Sequence, residues 1–94
     1  MYVRVVRFTG VTEEKVAAVQ ERINSSGGPP PGVESSGIKL LFDASSGTAV
    51  VLQEFPTAEA MDAAARIFDA MEPGDTPGVR ASVDACETRL ELSA

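Results

Sequence analysis

The chain has 94 residues, with 8 Lys and Arg against 14 Asp and Glu, a formal net charge of -6, one Cys, no His and no Trp. This length fits one domain spanning residues 1–94, and the acidic balance argues against both a phosphate-tracking nucleic-acid binder and a binder of anionic membranes, since either needs clustered Lys and Arg. A single Cys excludes an intramolecular disulfide and a thiolate zinc site, and without His the usual metal and acid/base ligand is missing, so neither metal nor cofactor is expected.

Tyr2-Val3-Arg4-Val5-Val6-Arg7-Phe8-Thr9 is rich in β-branched and aromatic residues and stops at Gly10, which predicts a first strand. Its two arginines also break any apolar core of a secretory signal, so the expected location is the cytoplasm. Thr12 is placed to cap a helix, Glu13 and Glu14 suit its positive end, and Val16, Val19 and Ile23 recur at helical spacing, giving a helix over about 12–24. Ser25-Ser26-Gly27-Gly28-Pro29-Pro30-Pro31-Gly32 cannot continue it, because glycine favours a terminating conformation and proline lacks a donor. This segment lacks the Lys and Ser/Thr of a phosphate-binding loop and reads as a connector or a lid.

Ile38–Asp43 and Thr48–Phe55, joined by Ala44-Ser45-Ser46-Gly47, read as a β-hairpin. Pro56 ends the second of these strands, Thr57 is a second cap, and Met61, Ala64, Ala65, Phe68 and Met71 mark one face of a helix over about 57–71. Glu72–Gly78 stops that helix, and the alternation from Val79 to Leu92 predicts a long last strand. No run approaches the roughly 18 apolar residues of a membrane span.

The order strand, helix, strand, strand, helix, strand has few compact solutions. The commonest is α+β and ferredoxin-like, a βαββαβ antiparallel sheet with both helices on one face. Such a sheet in water needs a polar outer face. Here Ile38, Leu40 and Phe42 oppose Leu41 in parity, and Val50 and Leu52 oppose Ala49, Val51 and Phe55, so several strands are apolar on both sides. A small domain also buries only about 60–65% of its unfolded surface. Both arguments predict a homodimer packed sheet against sheet.

The chain resembles the dimeric α+β barrel superfamily, and within it the small bacterial proteins of the antibiotic-biosynthesis-monooxygenase type. The resemblance runs from Tyr2-Val3-Arg4-Val5-Val6-Arg7-Phe8 through Ile23-Asn24-Ser25-Ser26-Gly27 and Pro29-Pro30-Pro31-Gly32 to Ser82-Val83-Asp84. It implies a homodimer whose sheets form a barrel, with a ligand cavity between each sheet and its helices. The resemblance transfers the fold and not the chemistry; the first functional reading is a protein that binds a small apolar or aromatic ligand or acts as a cofactor-independent, monooxygenase-like enzyme. The chain departs from the enzymes of that group: haem-binding relatives generally use a His and oxidising relatives place Trp, Tyr and Asn in the pocket, whereas Tyr2 and Asn24 are this chain's only tyrosine and asparagine. The alternative is a non-catalytic dimerisation or ligand-sensing module.

The ligand-binding candidates are Arg4, Arg80, Asp84, Met61 and Phe68, with no catalytic residue assigned. Arg4 or Arg80 is suited to hold a carboxylate or phenolate while Asp84 orients it, and chemistry at such a site would use an arginine to polarise an oxyanion and a carboxylate as base. The competing expectation is that Arg4 and Arg7 of the first strand and Arg80, Asp84, Glu87 and Arg89 of the last meet as cross-strand ion pairs, or bridge the dimer. One slip of register decides whether Arg4, Arg80 and Asp84 share a face. Met61, Phe68 and Met71 either pack a core or line a cavity. Cys86 has acidic sequence neighbours and reads as a small apolar residue of the sheet, and Asp43 and Glu54 as a solvated rim at opposite ends of the hairpin.

Overall fold

Tyr2–Thr9 alternates in burial, with Arg4, Val6 and Phe8 inside and Arg7 and Thr9 outside, as a strand between two covered or half-covered faces must. A computed structural model describes residues 1–27, 32–70 and 78–93. Its elements follow in the order β1 (Tyr2–Thr9), α1 (Glu13–Ser26), β2 (Gly37–Asp43), β3 (Thr48–Phe55), α2 (Ala58–Asp69) and β4 (Val79–Glu87). The strands form one antiparallel sheet in the order β2-β3-β1-β4. This is the ferredoxin-like α+β fold expected from the element order.

Each helix begins where a threonine satisfies a first-turn amide. The Lys15 N–H donates to Thr12 Oγ1 at 3.3 Å, and the Ala60 N–H donates to Thr57 Oγ1 at 3.1 Å. The first helix runs to Ser26 rather than ending near residue 24, and Ser25 Oγ donates back to the Glu21 carbonyl at 2.8 Å within that last turn. The terminator is Gly27, at φ 73. Met71 and the loop positions 28–31 lie outside the described residues.

The hairpin joins Asp43 to its register partner Thr48. Asp43 accepts from the Ser45 backbone at 3.1 Å and from Ser45 Oγ at 2.6 Å. These bonds from Ser45, with those from Ser46, hold its carboxyl below the usual carboxylate range. Gly47, at φ 65, turns its carbonyl to accept from the Val11 N–H at 2.9 Å, tying the hairpin to the β1–α1 connection.

The last strand is shorter than its alternating sequence predicts and ends at Glu87 rather than Leu92. Its ladder partner β1 ends at Tyr2, opposite Glu87. One further bond forms, from the Thr88 N–H to the Met1 carbonyl at 2.9 Å, and Leu90 and Leu92 are exposed. Alternation marks strand propensity, but a ladder also needs a neighbour.

Cross-strand partners sort the side chains onto two faces. Tyr2, Arg4, Val6 and Phe8 of β1 sit opposite Phe55, Gln53, Val51 and Ala49 of β3. On this face, Val6, Phe8, Val11, Val16 and Ala49 form one core cluster, and Val33, Phe55, Ala60, Met61 and Ala64 form a second. Both helices therefore cover the same face. Val3, Val5 and Arg7 look the other way. No helix among the described residues is long and apolar enough to cross a membrane.

Phe55 is fully buried and anchors α2 to the sheet among Val33, Met61 and Ala64. Phe55→Ala is expected to cost about 3–5 kcal/mol, a large share of the ~5–15 kcal/mol that holds such a domain. Urea denaturation followed by circular dichroism measures this, and a loss below about 1 kcal/mol would show that the α2 cluster is not the anchor.

Candidate functional site

The helix-covered face is apolar along β1 and β3 except at one cross-strand pair, Arg4 and Gln53, which are 5% and 7% exposed. Arg4 Nη1 donates to Gln53 Oε1 at 3.0 Å, and the guanidinium carbon lies 5.1 Å from the centre of the Phe68 ring, a cation–π contact. Its other terminal nitrogen, Nη2, is 3.8 Å from Asp69 Oδ1, an ion pair too long to be a direct hydrogen bond. Nε is buried and has no hydrogen-bond partner among the described residues.

Asp69 Oδ1 is also 3.0 Å from Arg80 Nη1. Two guanidinium groups thus share one carboxylate oxygen. Burial lowers the pKa of Arg4, the neighbouring charge of Arg80 lowers it further, and Asp69 opposes both. Arginine nevertheless keeps its proton at any physiological pH, so the three side chains carry one net positive charge. The group is stratified by access. Arg4 is enclosed, with its side chain 6% exposed, whereas Arg80 and Asp69 are 40% and 57% exposed.

A β-bulge makes this meeting possible. The β1–β4 register shifts between Arg7 and Phe8, so Arg7 pairs with Ser82 while Phe8 pairs with Arg80. Without the shift, Arg80 and Asp84 would share a face. With it, Arg80 joins the side of Arg4 and Phe8, and Asp84, opposite Val5, stays on the other. Bulges commonly re-aim one side chain in this way.

Of the five candidate residues, Arg4, Arg80 and Phe68 are brought together. Asp84 is not: it lies on the opposite face and cannot orient a ligand held by the arginines. Met61 is buried in the α2 cluster with Phe55. The expected cross-strand ion pairs are replaced by the contacts of Arg4 and Arg80 with Asp69 of the helix, and Glu87 instead lies 4.0 Å from Arg89 just beyond the strand. Cys86 is exposed, opposite Val3 on the open face. Asp43 and Glu54 do stand at opposite ends of the hairpin, opposite Thr48 and Gly37.

Two members of the group, Gln53 and Asp69, escaped the sequence reading, and both left a signal. Gln53 occupies the inward parity of β3 between Val51 and Phe55, where a polar residue needs a partner. Asp69 is an exposed residue of the last turn of α2, next in sequence to Phe68, the aromatic residue that faces Arg4. It also ends α2, where the macrodipole disfavours negative charge, so the arginines must supply the compensation.

Two concavities lie elsewhere. One, of about 490 Å³, is an open depression at the start of α1 lined by Thr12, Glu13, Glu14 and Ala17. The other, of about 260 Å³, is lined by Arg7, Leu41, Asp43, Thr48 and Val50 among others, on the open face near the hairpin turn. No three Cys, Asp or Glu side chains among the described residues are grouped to hold a metal ion. No family model matches the chain, and neither curated proteins nor solved structures give a match.

A buried, incompletely satisfied cation costs stability. Arg4→Met is therefore expected to change stability through two opposed effects: release of the desolvation penalty, and loss of the donor to Gln53 Oε1, worth about 1–3 kcal/mol. The single variant is expected to be less stable, and Arg4→Met with Gln53→Leu to recover the loss. Urea midpoints for the two variants and the wild type decide this. A double variant clearly less stable than the wild type would show that the Arg4–Gln53 pair is a net contributor to the fold.

Proposed function

We propose that the chain works as a homodimer in which two copies pack open sheet face against open sheet face, and that it binds a small apolar or aromatic molecule on the helix side of each sheet. The observation that carries the dimer is the composition of the open face. Val3 and Val5 of β1, Val50 and Leu52 of β3 and Leu41 of β2 form one apolar patch there, set by the register pairs Val5–Leu52, Arg7–Val50 and Leu41–Val50. Leu41 is 48% exposed in the single chain. A one-sided antiparallel sheet places polar residues on its solvent face, and a contiguous apolar patch marks an interaction surface.

Charge supports a second copy of the chain as the occupant. The patch is bordered by Arg7 and Lys39 and by Asp43, Glu54 and Asp84, so the face carries both signs and can complement itself across a two-fold axis. This arrangement agrees with the resemblance to the dimeric α+β barrels of the antibiotic-biosynthesis-monooxygenase type.

Of the two uses of the helix side, binding without turnover has the stronger support. Arg4 is enclosed by Gln53, Phe68 and Asp69, and the concavities described above are not at this group. A ligand-sensing module needs a charged site and a partner surface, and the arginine group and the apolar open face support this reading. Monooxygenase-like turnover needs in addition a chamber that encloses its substrate.

The dimer is tested at Val50, half-buried at the centre of the open face. Val50→Asp places two like charges against each other in the interface and is expected to weaken association at least about a hundredfold, since each 1.4 kcal/mol is tenfold and a buried unpaired charge costs several. Because the residue faces away from the helices, the circular dichroism of the subunit is expected to be unchanged. Sedimentation equilibrium at micromolar concentration reads the result, and equal dimerisation of variant and wild type would exclude this face as the interface.

A further inference from the structure

We propose that the Arg4–Arg80 pair is a carboxylate-binding site whose resident occupant is Asp69, and that a small monocarboxylic acid with an apolar or aromatic body takes the site by displacing that side chain. The inference rests on the small-molecule part of the function proposed above, not on its dimer.

Three observations converge. The first is charge: two guanidinium groups face one carboxylate, so the group is one negative charge short of neutrality. The second is unfilled bonding capacity at a fixed position. Arg4 is more than nine-tenths buried and held by Gln53 and Phe68, yet its Nε has no partner among the described residues and its Nη2 reaches Asp69 only at 3.8 Å. A second carboxylate oxygen can satisfy what a single shared Asp69 oxygen does not, and arginine favours such two-point contacts. The third is the exposure of the occupant. Asp69 is 57% exposed and sits on the last turn of α2, so turning it to water exposes the inner guanidinium without breaking the core.

The surroundings define the rest of the ligand. Next to the pair, the helix side of β4 carries Ala85, register partner of Arg4, and Val83, register partner of Val6. Both are exposed, Val83 to 37%, because the helices leave this edge strand uncovered. With Phe68 on the other side, a carboxylate on the arginines has an apolar shelf for its body. The net charge of -6 works against ligands of higher negative charge, which favours a monoanion.

The test uses benzoate as the probe, with benzyl alcohol as its uncharged counterpart and inorganic phosphate as the competing anion. The arginine Nε–Hε signals of the ¹⁵N-labelled wild-type chain are followed by NMR during each titration. Benzoate is expected to shift the Arg4 signal, Asp69→Asn to bind benzoate about tenfold more tightly, and Arg80→Ala about tenfold more weakly, the size of one charge-assisted contact. If benzyl alcohol binds as well as benzoate, the arginine site is overturned while small-molecule binding stands. If neither binds the wild type, both fail. If phosphate displaces benzoate at equal concentration, the carboxylate class is overturned. The wild-type titrations carry these outcomes even if a variant does not fold.

Discussion

Everything in this fold depends on the alternation of β1 between two ladders. The strand lies inside the sheet, paired with β3 on one side and β4 on the other, so each residue's parity assigns it and its cross-strand partners to one face. Even positions put Val6 and Phe8 under the helices, and odd positions put Val3 and Val5 on the open side. A slip of one residue would invert both assignments. The apolar patch on one face and the charged group on the other are two consequences of the same register.

Arg4 is the residue that this logic does not explain as packing. At its position an apolar side chain would join the two core clusters, and removing a buried ion pair in favour of apolar residues is often neutral or stabilising. Instead the chain encloses a guanidinium, gives it one good hydrogen bond, one aromatic face and a distant, shared carboxylate, and uses a bulge to bring a second guanidinium to the same carboxylate. The proposed carboxylate ligand would supply the contacts that this incomplete set of compensations leaves unmade.

Much of this architecture is legible in the residues. The capping threonines, the hairpin and the element order follow from local chemistry, and the parity of Leu41, Val50 and Leu52 already marks a sheet with two apolar faces. What local chemistry cannot supply is the meeting of distant elements. The pattern from Val79 to Leu92 continues past Glu87, where the β1–β4 ladder ends at Tyr2. The bulge that parts Arg80 from Asp84 is a property of the β1–β4 pair and leaves no mark on either strand alone. Gln53 is visible as a polar residue at an inward position of β3, whereas Asp69 is an exposed helix-end carboxylate, and only the placement of α2 beside β1 brings both to Arg4.

The proposed homodimer and carboxylate site together give each face of the sheet an occupant, a second copy of the chain on one and a small organic acid on the other. A native mass spectrum of freshly purified protein, recorded beside its denatured spectrum, tests both. The predicted result is an ion at twice the chain's mass, carrying additional mass that is lost on denaturation and belongs to a carboxylic acid. A bare monomer at micromolar concentration would contradict it.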